Sequence, residues 1–446
     1  MVATESRGAG SSKSAAVAVV LAGVISALAW AYLAMQSGTD GEGLSRFVSV
    51  AGVVLALQII VVGGFHRMGW RMPLIVVVVF AAVFRIIGVA GAPLLEDDHF
   101  RFMWDGRSTV ELGTPYGHAP ADFFDADLGT FEPVLDDINH PDIPTVYGPA
   151  SQWTFALAYV VAPANVWPLQ LISALADFAL VLLLARIATP LVVFLYAWAP
   201  LPIKEFAFTA HPDSVGAVLL LGAFIAFKAR RELATGAMLA LALGVKPFAL
   251  VLAPYFLGFS LRAWVACVAT MLALGLPFGL ADAWLPSGLG AMASVWLFNA
   301  PAYFLALHLG GAGAVQGLKA VFVIAFSAWW ASRFVPWIWR WFRHRDIAVD
   351  AVPAALSTGL FLAILPVWNP WYVVWWLPFA ALGPLRLTPW VAAAALLLSY
   401  ITGINVDSDA LALYQQPTWV LVAEVVIITA ALAFDIRVVR RQRAAT

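Results

Sequence analysis

The chain has 446 residues, of which 62% are hydrophobic and 11% charged, with a formal net charge of −1 and a mean hydropathy of +0.87. That balance excludes a soluble globular domain, and no long basic run suits a nucleic-acid groove. The single cysteine, Cys267, lies in an apolar run and excludes an intramolecular disulfide or a cysteine-based metal site.

In chain order, residues 1–14 are rich in Ser, Gly and Ala and read as a disordered tail. The apolar run 15–35 is too long for a signal-peptide core and reads as a retained anchor. Spans are expected next at about 46–65 and 73–94, followed by a water-facing loop, 95–149. Further apolar stretches lie near 150–163, 167–187, 189–203, 213–228, 233–258 and 261–280, then 313–334, 351–367, 370–384, 388–405 and 417–436. Runs of about 18 residues or more cross roughly 30 Å of hydrocarbon. Lipid offers no hydrogen bonds, so each must close its own backbone as a helix. The expected fold is an all-α polytopic bundle of about 10–13 transmembrane helices forming one domain, 15–436, with a basic cytoplasmic tail at 437–446. Pro247, Pro254, Pro277 and Pro378 predict kinked or half-spanning helices.

Cations in short connections belong on the cytoplasmic side. They cluster at Arg67 and Arg71, at Lys228, Arg230 and Arg231, at Arg333 to Arg345, and at Arg437 to Arg443. Three spans from a cytoplasmic N-terminus then place the 95–149 loop outside, together with the connection holding Asp407 and Asp409. The 95–149 loop carries 12 of the 26 carboxylates against two cations, Arg101 and Arg107. Such a concentration where a helix leaves the bilayer suits the handling of a polar substrate.

If the third span continues as a helix through this loop, Asp97, Arg101 and Asp105 share one face and Asp98 borders it. Phe102 and Trp104 would then project toward the lipid headgroups. Adjacent carboxylates near a cation form a general base with a partner that tunes it; the plainer alternative is a run of helix-end carboxylates bonded to Arg101. Arg85, deep in the third span, either reaches a substrate phosphate or pairs with a carboxylate of another helix. Lys246 before Pro247 suits a phosphate contact at a helix break or a side chain reaching to the interface. Lys204 and Glu205 read as a mutual ion pair, and Asp177 and Glu424 as interhelical hydrogen-bonding groups. His211 and Asp213 form a second cluster, with helix capping as the alternative for Asp213. Arg333 to Arg345, interleaved with Trp337, Trp339 and Trp341, reads as a cytoplasmic amphipathic interface helix.

The order Asp97-Asp98-x-x-Arg101-x-x-Trp104-Asp105-Gly106, then Gly113-x-Pro115-Tyr116, Ala119-Pro120 and Ile138-Asn139-His140-Pro141-Asp142-Ile143-Pro144-Thr145-x-Tyr147-x-Pro149, resembles the first external loop of bacterial GT-C glycosyltransferases that use polyprenyl-phosphate sugars. Their relatives include the mannosyltransferase of GPI-anchor precursors. Weaker echoes continue at His211-Pro212-Asp213, Lys246-Pro247 and Trp368-Asn369-Pro370-Trp371-Tyr372; Gly148 departs from an expected second proline. The resemblance implies an enzyme of the plasma membrane moving a hexose, mannose by that resemblance, from a polyprenyl-phosphate carrier to a lipid or glycan hydroxyl outside the cell, with inversion. Asp97 or Asp98 is then the base, and Arg85, Arg101, His211 and Lys246 are candidates for the donor phosphate. Asp105, Asn139, His140, Tyr147, Asp213 and Trp368 suit sugar or acceptor binding. No cofactor is demanded, although the aspartate pair has the chemistry to hold one divalent cation. The rival readings are a transporter or lipid flippase, which predicts internal symmetry and a midplane site, and a non-catalytic scaffold.

Overall fold

A computed structural model of the chain describes residues 3–36, 41–280, 288, 290, 296–344, 351–383, 386–402 and 417–444. The expectations for Asp407 and Asp409 fall outside these residues. Among the described residues there is no strand, only one isolated bridge between Phe298 and Val367, and the protein is an all-α membrane protein.

Among the described residues, six helices are long and apolar enough to cross a bilayer alone: Lys13–Met35, Gly43–Met68, Trp167–Ile187, Leu261–Gly279, Pro301–Arg340 and Thr418–Gln442. A bent pair, Pro190–Ala197 with Pro200–Phe208 at 47°, makes a seventh if counted as one span. Four shorter apolar helices, Leu74–Ala90, Glu232–Val245, Ala354–Ala363 and Thr388–Ile401, accompany them. Several apolar stretches are broken into short pieces, because proline removes a backbone donor and clashes with the preceding turn. The 233–258 stretch divides into Glu232–Val245, a 3-10 turn at Pro247–Val251 and a short helix at Ala253–Leu257.

Helix α1, Ala3–Met35, takes in most of the residues read as a tail, and the basic C-terminal end belongs to the helix Thr418–Ala444. The Arg- and Trp-rich stretch is no separate interface helix. It continues the long helix Pro301–His344, which is interrupted only at Gly310 and Gly311, and Trp337 is buried against Tyr255 and Phe227.

The third apolar helix, α3 (Leu74–Ala90), does not run on into the loop. The backbone becomes extended at Gly91, passes Pro93 and turns through a left-handed Leu95 with φ of 62°. A new helix, α4 (Asp98–Glu111), then starts and packs on α6 (Pro149–Val161). Gly106 permits that approach, since a Cβ there would collide with the Phe155 carbonyl. The break corrects the expected headgroup anchoring of Phe102 and Trp104. Both are buried, in an apolar cluster with Phe131, Leu135, Tyr147 and Phe155. The acidic loop is therefore a folded cap with its own core.

Candidate functional site

Three segments converge where α4 begins. The first carries Glu96, Asp97 and Asp98. The second is the turn at Asn139 and His140. The third ends the bent pair, whose second half is wound as a π-helix over Ile203–Phe208, bearing Lys204 and Glu205 and leading to His211. Single π turns inside helices gather at functional positions. A left-handed non-glycine residue adjoins a cluster residue in each segment: Leu95 (φ 62°), His140 (φ 46°) and Ala210 (φ 64°). Such conformations cost about 1–3 kcal/mol each and persist only where the surroundings over-determine them.

Asp97 and Asp98 sit half-buried side by side, bridged by the Asn139 amide, which donates to both at 2.9 and 2.6 Å. Asn139 is held by its neighbour across the loop. The Arg101 guanidinium donates to the carbonyls of Asn139 (2.8 Å), His140 (2.7 Å) and Ile143 (2.9 Å). Three of the five guanidinium N–H groups are thus spent on this turn, and Arg101 shapes the loop that presents Asn139.

Behind the aspartates lies a buried charged group. Lys204 bonds the carboxylate of Glu96 and reaches Glu205 at 3.4 Å, so the expected Lys204–Glu205 pair is the weaker of two contacts. His211 Nε2 lies 3.2 Å from Asp98 and 3.4 Å from Glu96, while Nδ1 lies 2.9 Å from Glu205. Its ring stacks on Trp371 at 3.9 Å. The 3-10 turn Pro370–Trp375 delivers two more aromatics. The Tyr372 ring lies 4.6 Å from Lys246 Nζ, and Trp375 Nε1 donates to Asp213 at 2.7 Å. Tyr372 and Trp375, three apart, share a face of such a turn, and they flank the Lys246–Asp213 ion pair of 2.6 Å. Asp213 makes no side-chain cap, so pairing replaces the capping alternative.

Burial, then the charge of Asp98, pushes the Asp97 carboxyl up to about 7. Asp98 goes the other way. Burial would raise it, but the hydrogen bond and charge of His211, with help from Asn139, hold it at about 2. Burial and the Glu205 charge raise Glu96 to about 8. His211 is raised to about 10 by Glu96, Asp98 and Glu205 in spite of burial.

Other expected site residues fall elsewhere. Arg85 is 3% exposed and pairs with Asp177 at 2.7 Å while also bonding the Ala197 carbonyl, so the interhelical alternative holds and not the phosphate contact. Asp177 also accepts from Tyr196, and Glu424 accepts from Ser399 at 2.8 Å, as interhelical bonds. Asp105 is buried, accepting from Thr145 and from Gln152 (2.9 Å), which ties the loop to α6 and leaves it no sugar to meet. The Tyr147 ring is buried on Phe102 and Phe155, with Lys246 at 5.9 Å, and forms a wall of the site. The His140 ring meets Trp296 at 4.8 Å. Trp368 pairs by its backbone with Phe298; its neighbour Trp371 is the residue that reaches the site.

Glu96, Lys204 and Trp371 were missed as site residues. Glu96 had a signal, since it directly precedes the aspartates. One ligand atom each from Glu96, Glu205 and His211 lies within 4.8 Å of the others, an arrangement able to surround a cation. Lys204 already supplies that positive charge to both glutamates. The aspartate pair, in turn, holds a donating amide where a divalent ion was considered. No protein-family model, curated protein or solved structure matches this chain.

Proposed function

We propose that the chain is an integral-membrane glycosyltransferase. It moves a hexose, mannose on the strength of the resemblance, from a polyprenyl-phosphate carrier to a lipid or glycan hydroxyl at the external face of the plasma membrane. The observation that carries this reading is the partly buried aspartate pair, held in place by Asn139, with one member raised into the neutral range. A general base works best when its pKa lies near the working pH. The acceptor O–H bond breaks and its proton passes to the pair. The acceptor oxygen then bonds the anomeric carbon from the face opposite the carrier, and the sugar–phosphate C–O bond breaks, its electron pair leaving on the phosphate. Lys246, 12% exposed and paired with Asp213, is the candidate cation to meet that added charge.

The test is sugar transfer from synthetic polyprenyl-phosphate hexoses to membrane lipid extract, using purified protein. Asp97→Asn and Asp98→Asn are expected to lower the rate by about 10²–10⁴-fold. Wild-type rates in both variants would refute the reading. Cysteine labelling of position 97 from the cytosolic side of sealed vesicles would refute the orientation.

A further inference from the structure

The two aspartates are not equivalent. Asp98 has both oxygens engaged, Oδ1 by Asn139 and Oδ2 by His211. Asp97 has Oδ1 on Asn139, and no other side chain donates to its Oδ2 among the described residues. His211 in turn is fully buried, with a carboxylate at each nitrogen, Trp371 against one face and the Phe102 edge at 5.8 Å. An imidazole between carboxylates carries both protons. It has no lone pair to accept a proton, and it cannot turn to a donor phosphate without leaving Asp98 or Glu205. The expectation that His211 contacts the phosphate therefore gives way.

Resting on the aspartate-pair reading above, we propose that His211 is a positioning residue: braced by Glu205 and Trp371, it anchors Asp98, and Asp97 is the carboxylate that receives the acceptor's proton. Asp98 and His211 keep their protonation throughout, so the only proton moved is the one taken from the acceptor. The groups facing His211 are Glu96, Asp98, His99, Lys204 and Glu205, and Lys246 faces Asp98. Of the carboxyls that change state near neutrality, Glu96 is 2% exposed and covered by Lys204, and Asp105 is 1% exposed and held by Thr145 and Gln152, which leaves Asp97 as the one an acceptor reaches.

The experiment is the pH dependence of kcat/KM for wild type, His211→Gln, Asp97→Asn and Asp98→Asn. Glutamine keeps a hydrogen bond to Asp98 but removes the positive charge. The pair then holds its shared proton to higher pH. His211→Gln is expected to lower the rate about tenfold or more at pH 7, to move the midpoint of the rising limb up by about one pH unit or more, and to recover toward wild type above it. A midpoint unchanged from wild type, or a loss equal at every pH, overturns the positioning role. Loss of the limb altogether overturns it in favour of His211 as the base. Activity in Asp97→Asn with none in Asp98→Asn overturns the division of roles while the aspartate reading stands. Wild-type activity in both Asn variants sinks that reading itself. Infrared titration of carboxyl protons covers the case in which His211→Gln fails to fold. Wild type is expected to show one more carboxyl titrating near neutrality than Asp97→Asn, in which Glu96 and Asp105 still titrate; identical carboxyl titrations in the two proteins overturn the proposal.

Discussion

Replacing Arg101 by alanine separates a loop-shaping guanidinium from a phosphate ligand. Arg101 makes three hydrogen bonds of 2.7–2.9 Å to the carbonyls of Asn139, His140 and Ile143, and it is 6% exposed. Hydrogen bonds to charged groups contribute about 1.5–3 kcal/mol each, and leaving buried acceptors unpaired costs about 1–3 kcal/mol. Water entering the vacated space recovers part of this, so a local loss of about 3–5 kcal/mol is a reasonable total. The turn has little else to hold it. Its own backbone supplies Ile143 to His140 at 3.0 Å, and Ala121 reaches Pro141 at 3.0 Å. Arg101→Ala is therefore expected to release Asn139 from both aspartates. Transfer should fall about as far as in Asn139→Ala, and the double variant should be little worse than either single one, since residues in one network are non-additive. Arg101→Lys keeps the charge but not the fork and should recover only part of the activity. The assay is transfer rate with varied donor, read beside amide hydrogen exchange over 138–144, which should quicken. A rise in donor KM alone, with exchange in the turn unchanged, would refute the loop-shaping role and restore a phosphate contact.

Arg85→Gln leaves Asp177 buried without its cation, with Tyr196 still donating to it, which should cost about 3–5 kcal/mol and lower Tm, while the folded fraction keeps its donor KM; a KM defect at unchanged Tm contradicts the structural pairing. Gly106→Val drives a side chain into the Phe155 carbonyl and should destabilise by about 1–3 kcal/mol in thermal or denaturant unfolding; tolerance means α4 and α6 are not in contact. Stability should depend on His211 with a definite sign. Its folded value of about 10 exceeds the ordinary 6.5, so its contribution is complete below about 6.5 and is lost as pH rises through about 10. Tm is expected to fall across that window and to fall less in His211→Gln; equal slopes in both proteins reject the charged imidazole.

The class of this protein was legible before any coordinates. Apolar runs with no water-facing alternation leave only helices in lipid, and the acid of 95–149 marked a polar surface against them. The aspartates at 97 and 98 and the amide at 139 were legible too, through the loop motif. What stayed hidden was which charge meets which. Arg101 was assigned to phosphate but binds carbonyls 38–42 residues away, and Lys204 chose Glu96, 108 residues back, over its neighbour. Hydropathy reports that a residue leaves water, not whether it enters lipid or protein. It also does not tell a single crossing from two short helices bent at a proline. Those choices set depth and crossing angle, and with them the partner of every buried charge. Burial of an ion is so costly that its partner decides its role, and only the tertiary packing brings the two together.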